Sequence, residues 1–429
     1  MNILVLGSGG REHTFVWKIS QSKNVGKIYA APGNAGTSQL AQNIPVDIND
    51  FPAVKDLILK FDIGMVVVGP EEPLVRGIRD YFKEEGLLDK LILIGPDKKG
   101  ASLEGSKDFS KKFMEKYGVP TAKALTVNKE NLSEGLSFLE TLSSPYVLKA
   151  DGLAAGKGVI ISPNLEEAKS ALKTMLDGQF GAASQKVLIE EFLDGIELSV
   201  FVLTDGINYK ILPEAKDYKR IGEGDTGPNT GGMGAVSPVL FADKDFMSKV
   251  EERVIKPTVK GLQEEGMDYV GFIFIGLMNI GGEPFVIEYN VRMGDPETQA
   301  VLPRLDSDLL ELFKATANNS LNEFELKTSN HTTTTVVAAA GGYPGSYEKG
   351  KVISGLDNAN NATVFHAGTK ESDGLVITNG GRVIAVTGMS SSIEGALEKS
   401  YNALSEIDWE GMNFRKDIGQ DLIAFMSKS

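Results

Sequence analysis

Four short apolar runs fall in the first hundred residues: "ILVLG" (3–7), "KIYAAPG" (27–33), "MVVVGP" (65–70) and "LILIGP" (91–96). Each ends in glycine or Gly-Pro, and segments of helical periodicity lie between them. Runs this apolar read as strands buried on both faces. Strands alternating with helices imply βαβ units around a parallel sheet. Ligands of such sheets sit at the carboxyl ends of the strands, where these glycines lie. A chain of 429 residues has room for roughly three domains of about 150 residues, so this sheet is one unit among several.

The rhythm changes after about residue 100. The pattern predicts a helix over about 102–117, the segment "VPTAKALTV", a helix near 130–141, the strand "YVLKA", and then "GVIIS" with a helix near 164–177. "KVLIEEFLDGIELSVFVLTDG" (186–206) reads as two strands joined at an Asp194-Gly195 turn. A long helix over about 242–265 precedes two apolar strands, "YVGFIFIGLM" and "PFVIEYNVR". The tail adds "TTVVAAAGG", "ATVFHAGT" and "GRVIAVTGM", then a closing amphipathic helix. The expected division is 1–102, 103–325 with a small lobe over about 121–190, and 326–429.

Composition excludes several chemistries. The absence of cysteine rules out disulfides, thiolate nucleophiles and Cys-type metal centres. The three histidines, His13, His331 and His366, are scattered in sequence. A net charge of −14 argues against nucleic acid or anionic membrane as a partner. The N-terminus "MNILVLGSGG" is unlike a signal peptide, and no apolar run reaches membrane-spanning length. A cytoplasmic location and a monomeric state are the expectations.

Five motifs carry chemistry. "LGSGGREH" follows the first strand; Gly7 and Gly9 fit a dinucleotide fingerprint, but Glu12 stands at its third position. A nicotinamide dinucleotide is disfavoured. A tight strand–helix turn or a phosphate on helix N–H groups remains open. "VLKADGLAAGKGVI" (147–160) resembles a phosphate loop, yet its glycine spacing is one residue short and Gly158 follows Lys157, so the magnesium hydroxyl is missing. Lys149 and Lys157 bracket small residues, including Gly156, whose amides can approach phosphate. A solvated hairpin would explain those glycines but not the two lysines.

"LIEEFLDGIELS" places Glu190, Phe192 and Glu197 on a strand–turn–strand, where an adenosine or plain solvent could meet them. In "FVIEYNVRMGDPE", Glu288 and Asn290 share one face of a strand. That oxygen pair suits Mg²⁺ completed by water and phosphate; a structural ion-pair cluster is the alternative. Arg292 follows on that face, with Asp295 and Glu297 just beyond. The glycine-rich stretch 217–238 carries Asp217, Lys219, Arg220, Asp225 and Asn229. Long loops of this kind are functional or are mobile flaps.

Together, "GSGGREH", "GPEEPLV", "GPDKKGASLEGSKDF", "LKADGLAAGKGV", "EEFLDGIELS", "DTGPNTGGMGA" and "NVRMGDPETQ" occur in an order that resembles the glycinamide ribonucleotide synthetases of the ATP-grasp superfamily, over residues 1 to about 305. The resemblance implies an α/β and α+β multidomain chain. Its parts would be a biotin-carboxylase-like N-terminal parallel-sheet domain, an ATP-grasp core of two lobes, and a small mixed C-terminal domain. It implies ATP-dependent joining of glycine to 5-phosphoribosylamine, giving ADP and phosphate, early in purine synthesis.

By resemblance, Lys107, Lys149, Gly156 and Lys157 would contact ATP, Glu190 the adenine amino group, Phe192 and Leu193 the adenine edge, and Glu197 the ribose. Glu288 and Asn290 would hold Mg²⁺ or Mn²⁺. Gly9, Gly10 and Glu71 would face phosphoribosylamine. Asp217, Asn229, Arg292, Gly294 and Asp295 would line the meeting place of glycine and amine, with Arg292 and Asp217 catalytic. Two departures stand out: Tyr218 where such chains commonly carry His, and Met293 where Phe is usual. A different ATP-grasp ligase would differ at 217–234 and at the N-terminal loop. A non-catalytic nucleotide sensor would tend to lack Glu288, Lys149 or Lys157, all of which are present.

Overall fold

The computed structural model describes residues 1–153 and 158–426. The four glycine-terminated runs become the strands Asn2–Gly7, Ile28–Pro32, Ile63–Val68 and Ile92–Ile94, and Gln42–Asn43 adds a fifth at one edge. All are parallel, in the spatial order 42–43, 28–32, 2–7, 63–68, 92–94. The unbroken apolar runs have a packing cause. Leu4 and Leu6 enter one core with Val66 and Val200, whereas Ile3 and Val5 enter another with Phe15 and Phe272. Strand order reverses beside Asn2–Gly7, which opens a crevice at its carboxyl end. Gly7, at φ 123°, turns the chain there into the helix Gly10–Ile19.

The expected helix over 102–117 is two helices, Lys98–Gly105 and Lys107–Tyr117. Ser106 is extended between them, and its Oγ accepts the Phe109 N–H at 3.1 Å. The cap starts a new helix and so ends the old one.

A separate lobe follows. The strands Ala124–Val127, Val187–Glu191, Tyr146–Ala150 and Val159–Ser162 form an antiparallel sheet in that order. The helices Leu132–Thr141 and Leu165–Thr174 share its core of Leu139, Leu148, Leu172 and Ile189. Asp194-Gly195 does not close a hairpin. Val187–Glu191 belongs to this lobe, while Ile196–Thr204 joins another sheet in the order 209–211, 196–204, 271–280, 283–290. Turn chemistry is local, and here two separate cores decide the pairing. Residues 192–195 are the crossing between them, with Gly195 so near the Asn279 carbonyl that a Cβ would collide.

The segment expected as one helix over 242–265 runs Lys244–Val250 and Lys256–Glu264, with a π-turn at Glu251–Ile255 between. The last sheet mixes distant stretches. Its order is Lys216–Asp217, Gly234–Ser237, Thr332–Ala339, Arg382–Ser390, Thr363–His366, all antiparallel. The glycine-rich stretch leaves that sheet at 217 and returns at 234, forming a ribbon of Arg220–Gly222 and Thr226–Asn229. Among the described residues no helix is long and apolar enough to cross a membrane.

Candidate active site

The strand Glu283–Asn290 ends where all these parts meet. It pairs Gly276 with Glu288 and Leu277 with Val286, leaving Ile287 as a bulge. A bulge re-aims the side chain beside it, and Glu288 is that side chain. Gly276 opposite leaves room: a Cβ there would lie 3.3 Å from the Glu288 Cγ. Asn290 is buried, and its Oδ1 accepts from Arg292 Nη2 at 3.3 Å. Burial works to raise the Glu288 carboxyl, but Lys219, Lys149 and Lys107, with Arg292, hold it below its usual range. An ionised carboxylate and a buried amide oxygen on one strand face fit a divalent ion that takes its remaining ligands from phosphate and water. Among the described residues no three His, Cys, Asp or Glu side chains converge to hold a metal alone.

The smaller lobe presents the opposing wall. Lys149 and Glu190 are diagonal cross-strand neighbours, because Val147 pairs with Glu190 and Lys149 with Leu188. Lys149 Nζ lies 2.5 Å from Glu190 Oε2, and Lys111 Nζ lies 2.5 Å from Oε1. Burial opposes the charge on Glu190, yet the two lysines keep its carboxyl low. Lys107 begins its helix and donates to the Gly152 carbonyl at 3.3 Å. Burial lowers its ammonium, with Glu288 pulling the other way. At the crossing between lobes, Phe192 is exposed and Leu193 half-buried. Glu197 pairs with Lys219, whose ammonium is held well up by Glu197, Asp217 and Glu288 against burial. Gly156 and Lys157 lie outside the described residues.

The third wall is the crevice of the parallel sheet. Gly9 caps the helix Gly10–Ile19, with its N–H 2.6 Å from Glu12 Oε2. The Glu12 carboxylate fills the space that side chains at Gly7 and Gly69 would need. It thus occupies the turn that a dinucleotide would approach. Arg292 reaches Glu104 at 2.9 Å and Glu71 at 3.4 Å, while Glu104 also accepts the Val291 N–H at 2.8 Å. Arg11 donates to the Met293 carbonyl at 3.1 Å, and its N–H meets Asp295 Oδ2 at 3.1 Å. Gln299 donates to Asp295 Oδ1 at 2.9 Å and lies so close under Gly10 that any side chain there would clash. Gly294 is glycine because the Glu297 carboxylate lies over it. Burial and the charge of Asp217 push Glu297 far up, and burial also raises Asp217.

The structure therefore gathers Lys107, Lys149, Lys219 and Arg292 around Glu288, with Glu71 on Arg292 and Gly9 and Gly10 beside Asp295. Asn229 stands apart, exposed on the ribbon opposite Arg220. Tyr218 faces away from this centre: it is buried in the C-terminal core and donates to Asp421 Oδ1 at 2.6 Å. Sequence reasoning missed Lys111, Glu104, Arg11, Gln299 and Arg382. Lys111 lies one turn after Lys107, a spacing that puts both on one helix face and could have revealed it. Gln299 lies one turn after Asp295, a spacing that could likewise have revealed it. Glu104, Arg11 and Arg382 reach the site through contacts far apart in sequence, which no local pattern encodes.

Comparison with known proteins identifies the family. Family models described as the phosphoribosylglycinamide synthetase N domain, ATP-grasp (A) domain and C domain match residues 1–104, 105–298 and 333–421. The chain is 46% identical to a Vibrio cholerae protein called phosphoribosylamine–glycine ligase, over 99% of both chains, and 46% identical to its Pseudomonas aeruginosa namesake with the same coverage. The crystal structure of phosphoribosylamine–glycine ligase from Thermotoga maritima superposes with a TM-score of 0.84 at 36% identity, covering 97% of this chain and 100% of that one. Biotin carboxylase from Campylobacter jejuni shares the fold, with a TM-score of 0.73 at 14% identity over 97% and 93%. With its three domains matched in order and its whole length aligned at such identity, the chain belongs to the phosphoribosylglycinamide synthetase family of ATP-grasp ligases.

Proposed function

We propose that this ligase joins glycine to 5-phosphoribosylamine at the expense of ATP, through glycyl phosphate, within de novo purine synthesis. The observation that carries the reading is the set of three lysines and an arginine gathered around the carboxylate of Glu288, in a chain of net charge −14. Lys107 from a helix start, Lys149 from a strand and Lys219 from a loop converge there, an arrangement suited to a polyphosphate. Glu190 and the 192–193 crossing meet the adenine, and Glu197 the ribose. Glu288 and Asn290 would hold Mg²⁺ or Mn²⁺, which neutralises phosphate charge when bound.

A glycine carboxylate is a poor acyl donor, because its oxygen is a bad leaving group. Transfer of the γ-phosphoryl group to that oxygen breaks the bond to the β,γ-bridging oxygen and releases ADP. Such transfer asks mainly for positioning and charge neutralisation, and the lysines with Arg292 supply them. The amine nitrogen then attacks the acyl carbon, and phosphate departs with the C–O electron pair. Asp217, its carboxyl lifted by burial, can take the proton the amine sheds. Gly9, Gly10, Glu71, Gly294 and Asp295 place the amine, and the glycine-rich stretch bearing Asn229 shields the acyl phosphate from water.

The test is ADP release with ATP, Mg²⁺ and phosphoribosylamine, with and without glycine. Wild type should require glycine, and Glu288→Ala should lose on the order of 100-fold or more in kcat. Turnover that ignores glycine would sink the reading.

A further inference from the structure

Arg382 opens the strand Arg382–Ser390, nearly ninety residues after the Asp295 elbow in sequence, yet its guanidinium reaches into the wall assigned to the amine. Nη1 donates to the Asp295 carbonyl at 2.5 Å and the Gly231 carbonyl at 2.7 Å, and it lies 3.4 Å from the Gly232 carbonyl. Nη2 lies 3.4 Å from Asp295 Oδ1. Tyr343, also from the C-terminal third, accepts the Gly231 N–H at 3.1 Å. Gly231 and Gly232 are packed so tightly on Arg382 and Pro296 that a Cβ at either would press into them. One planar fork thus ties three separate stretches: the base of the glycine-rich loop, the 294–296 elbow and the C-terminal sheet. The guanidinium meets the carbonyls from Nη1 and the Asp295 carboxylate from Nη2, two points that the single nitrogen of a lysine ammonium would have to serve alone.

We propose that Arg382 is a positioning residue for the ligation, fixing the Asp295 carboxylate toward Arg11 N–H and the Gly9–Gly10 turn so that the amine substrate meets a preformed wall. The proposal rests on the placement of the amine at Asp295 given above. Small misplacements of a reacting group cost large factors in rate, so the effect falls on the amine and not on ATP.

Steady-state kinetics of Arg382→Ala, Arg382→Lys and Asp295→Asn, each with melting temperature, test it. Arg382→Ala should raise the KM for phosphoribosylamine about tenfold or more, with the KM for ATP within about twofold of wild type. Arg382→Lys should recover only part of the loss, since it restores the charge but not the fork. KM values for amine and ATP rising together with a fall in melting temperature would overturn the proposal in favour of a purely structural role. An amine KM raised by Asp295→Asn but untouched by Arg382→Ala would overturn it alone. An amine KM indifferent to Asp295→Asn would remove the placement of the amine, and the proposal with it.

Discussion

Glu190 is a carboxylate with a 5% exposed side chain and a lysine on each oxygen. Removing one partner from such a group leaves an acceptor desolvated and unpaired, which costs more than the net worth of the bond. Lys111→Met should therefore lower stability by about 1–3 kcal/mol in urea unfolding. Lys111→Met combined with Glu190→Gln should recover part of that loss; a double variant as unstable as the sum of the singles would show that the pair is not coupled. Glu190 was singled out in the sequence as a strand carboxylate whose role came from the family resemblance; that it faces Lys149 depends on the register of two separate strands, which no local pattern encodes. Tyr218 sits between Asp217 and Lys219, yet one step along the backbone turns it into the C-terminal core, with the Lys216 ammonium 4.0 Å above its ring. Its phenol, already raised by burial and by Asp421, is a poor proton donor in any case.

Elements were legible where their cause is local. The parallel sheet followed from apolar runs ending in glycine, and the 283–290 strand from alternation. The break at Ser106 was missed because the helical period continues across it; only the cap reveals it. That cap serves the site. Ser106 Oγ also donates to Asp151 Oδ1 at 3.0 Å, and Asp151 accepts the Asp108 N–H at 2.8 Å, which ties the Lys107 turn to the loop after Lys149. Ser106→Ala should cost about 1 kcal/mol for the cap alone and raise the KM for ATP while leaving that for glycine near wild type. An unchanged ATP KM alongside the stability loss would reduce Ser106 to a helix cap. The Asp194-Gly195 turn was misread for the reverse reason. Its signal is local, but strand pairing is decided by which core each strand enters.

At the scale of the whole molecule, the C-terminal third is fastened to the N-terminal domain through two buried histidines. His13, on the helix Gly10–Ile19, accepts the His366 N–H on Nδ1 at 2.8 Å, with Phe365 edge-on at 5.7 Å. His366 in turn meets Thr369 Oγ1 at 3.1 Å. Burial, aided by the neighbouring imidazole, lowers His13 to about 3; burial lowers His366 to about 4 against the pull of Glu371. Both are neutral when folded, while the unfolded chain protonates them below about pH 6.5. The unfolded state thus binds more protons as pH falls. The histidines' contribution to stability is intact above pH 6.5 and declines toward pH 4 by up to about 1.4 kcal/mol per pH unit for each histidine. Carboxyls that burial lifts, such as Glu297, raised to about 8, work in the opposite sense where the two windows overlap, so the informative quantity is a difference. Urea midpoints between pH 7 and 4.5 should fall less steeply in His13→Asn, which keeps an acceptor for the His366 N–H without a titrating ring. Parallel slopes for wild type and variant would mean that His13 is not the group that loosens this interdomain contact in acid.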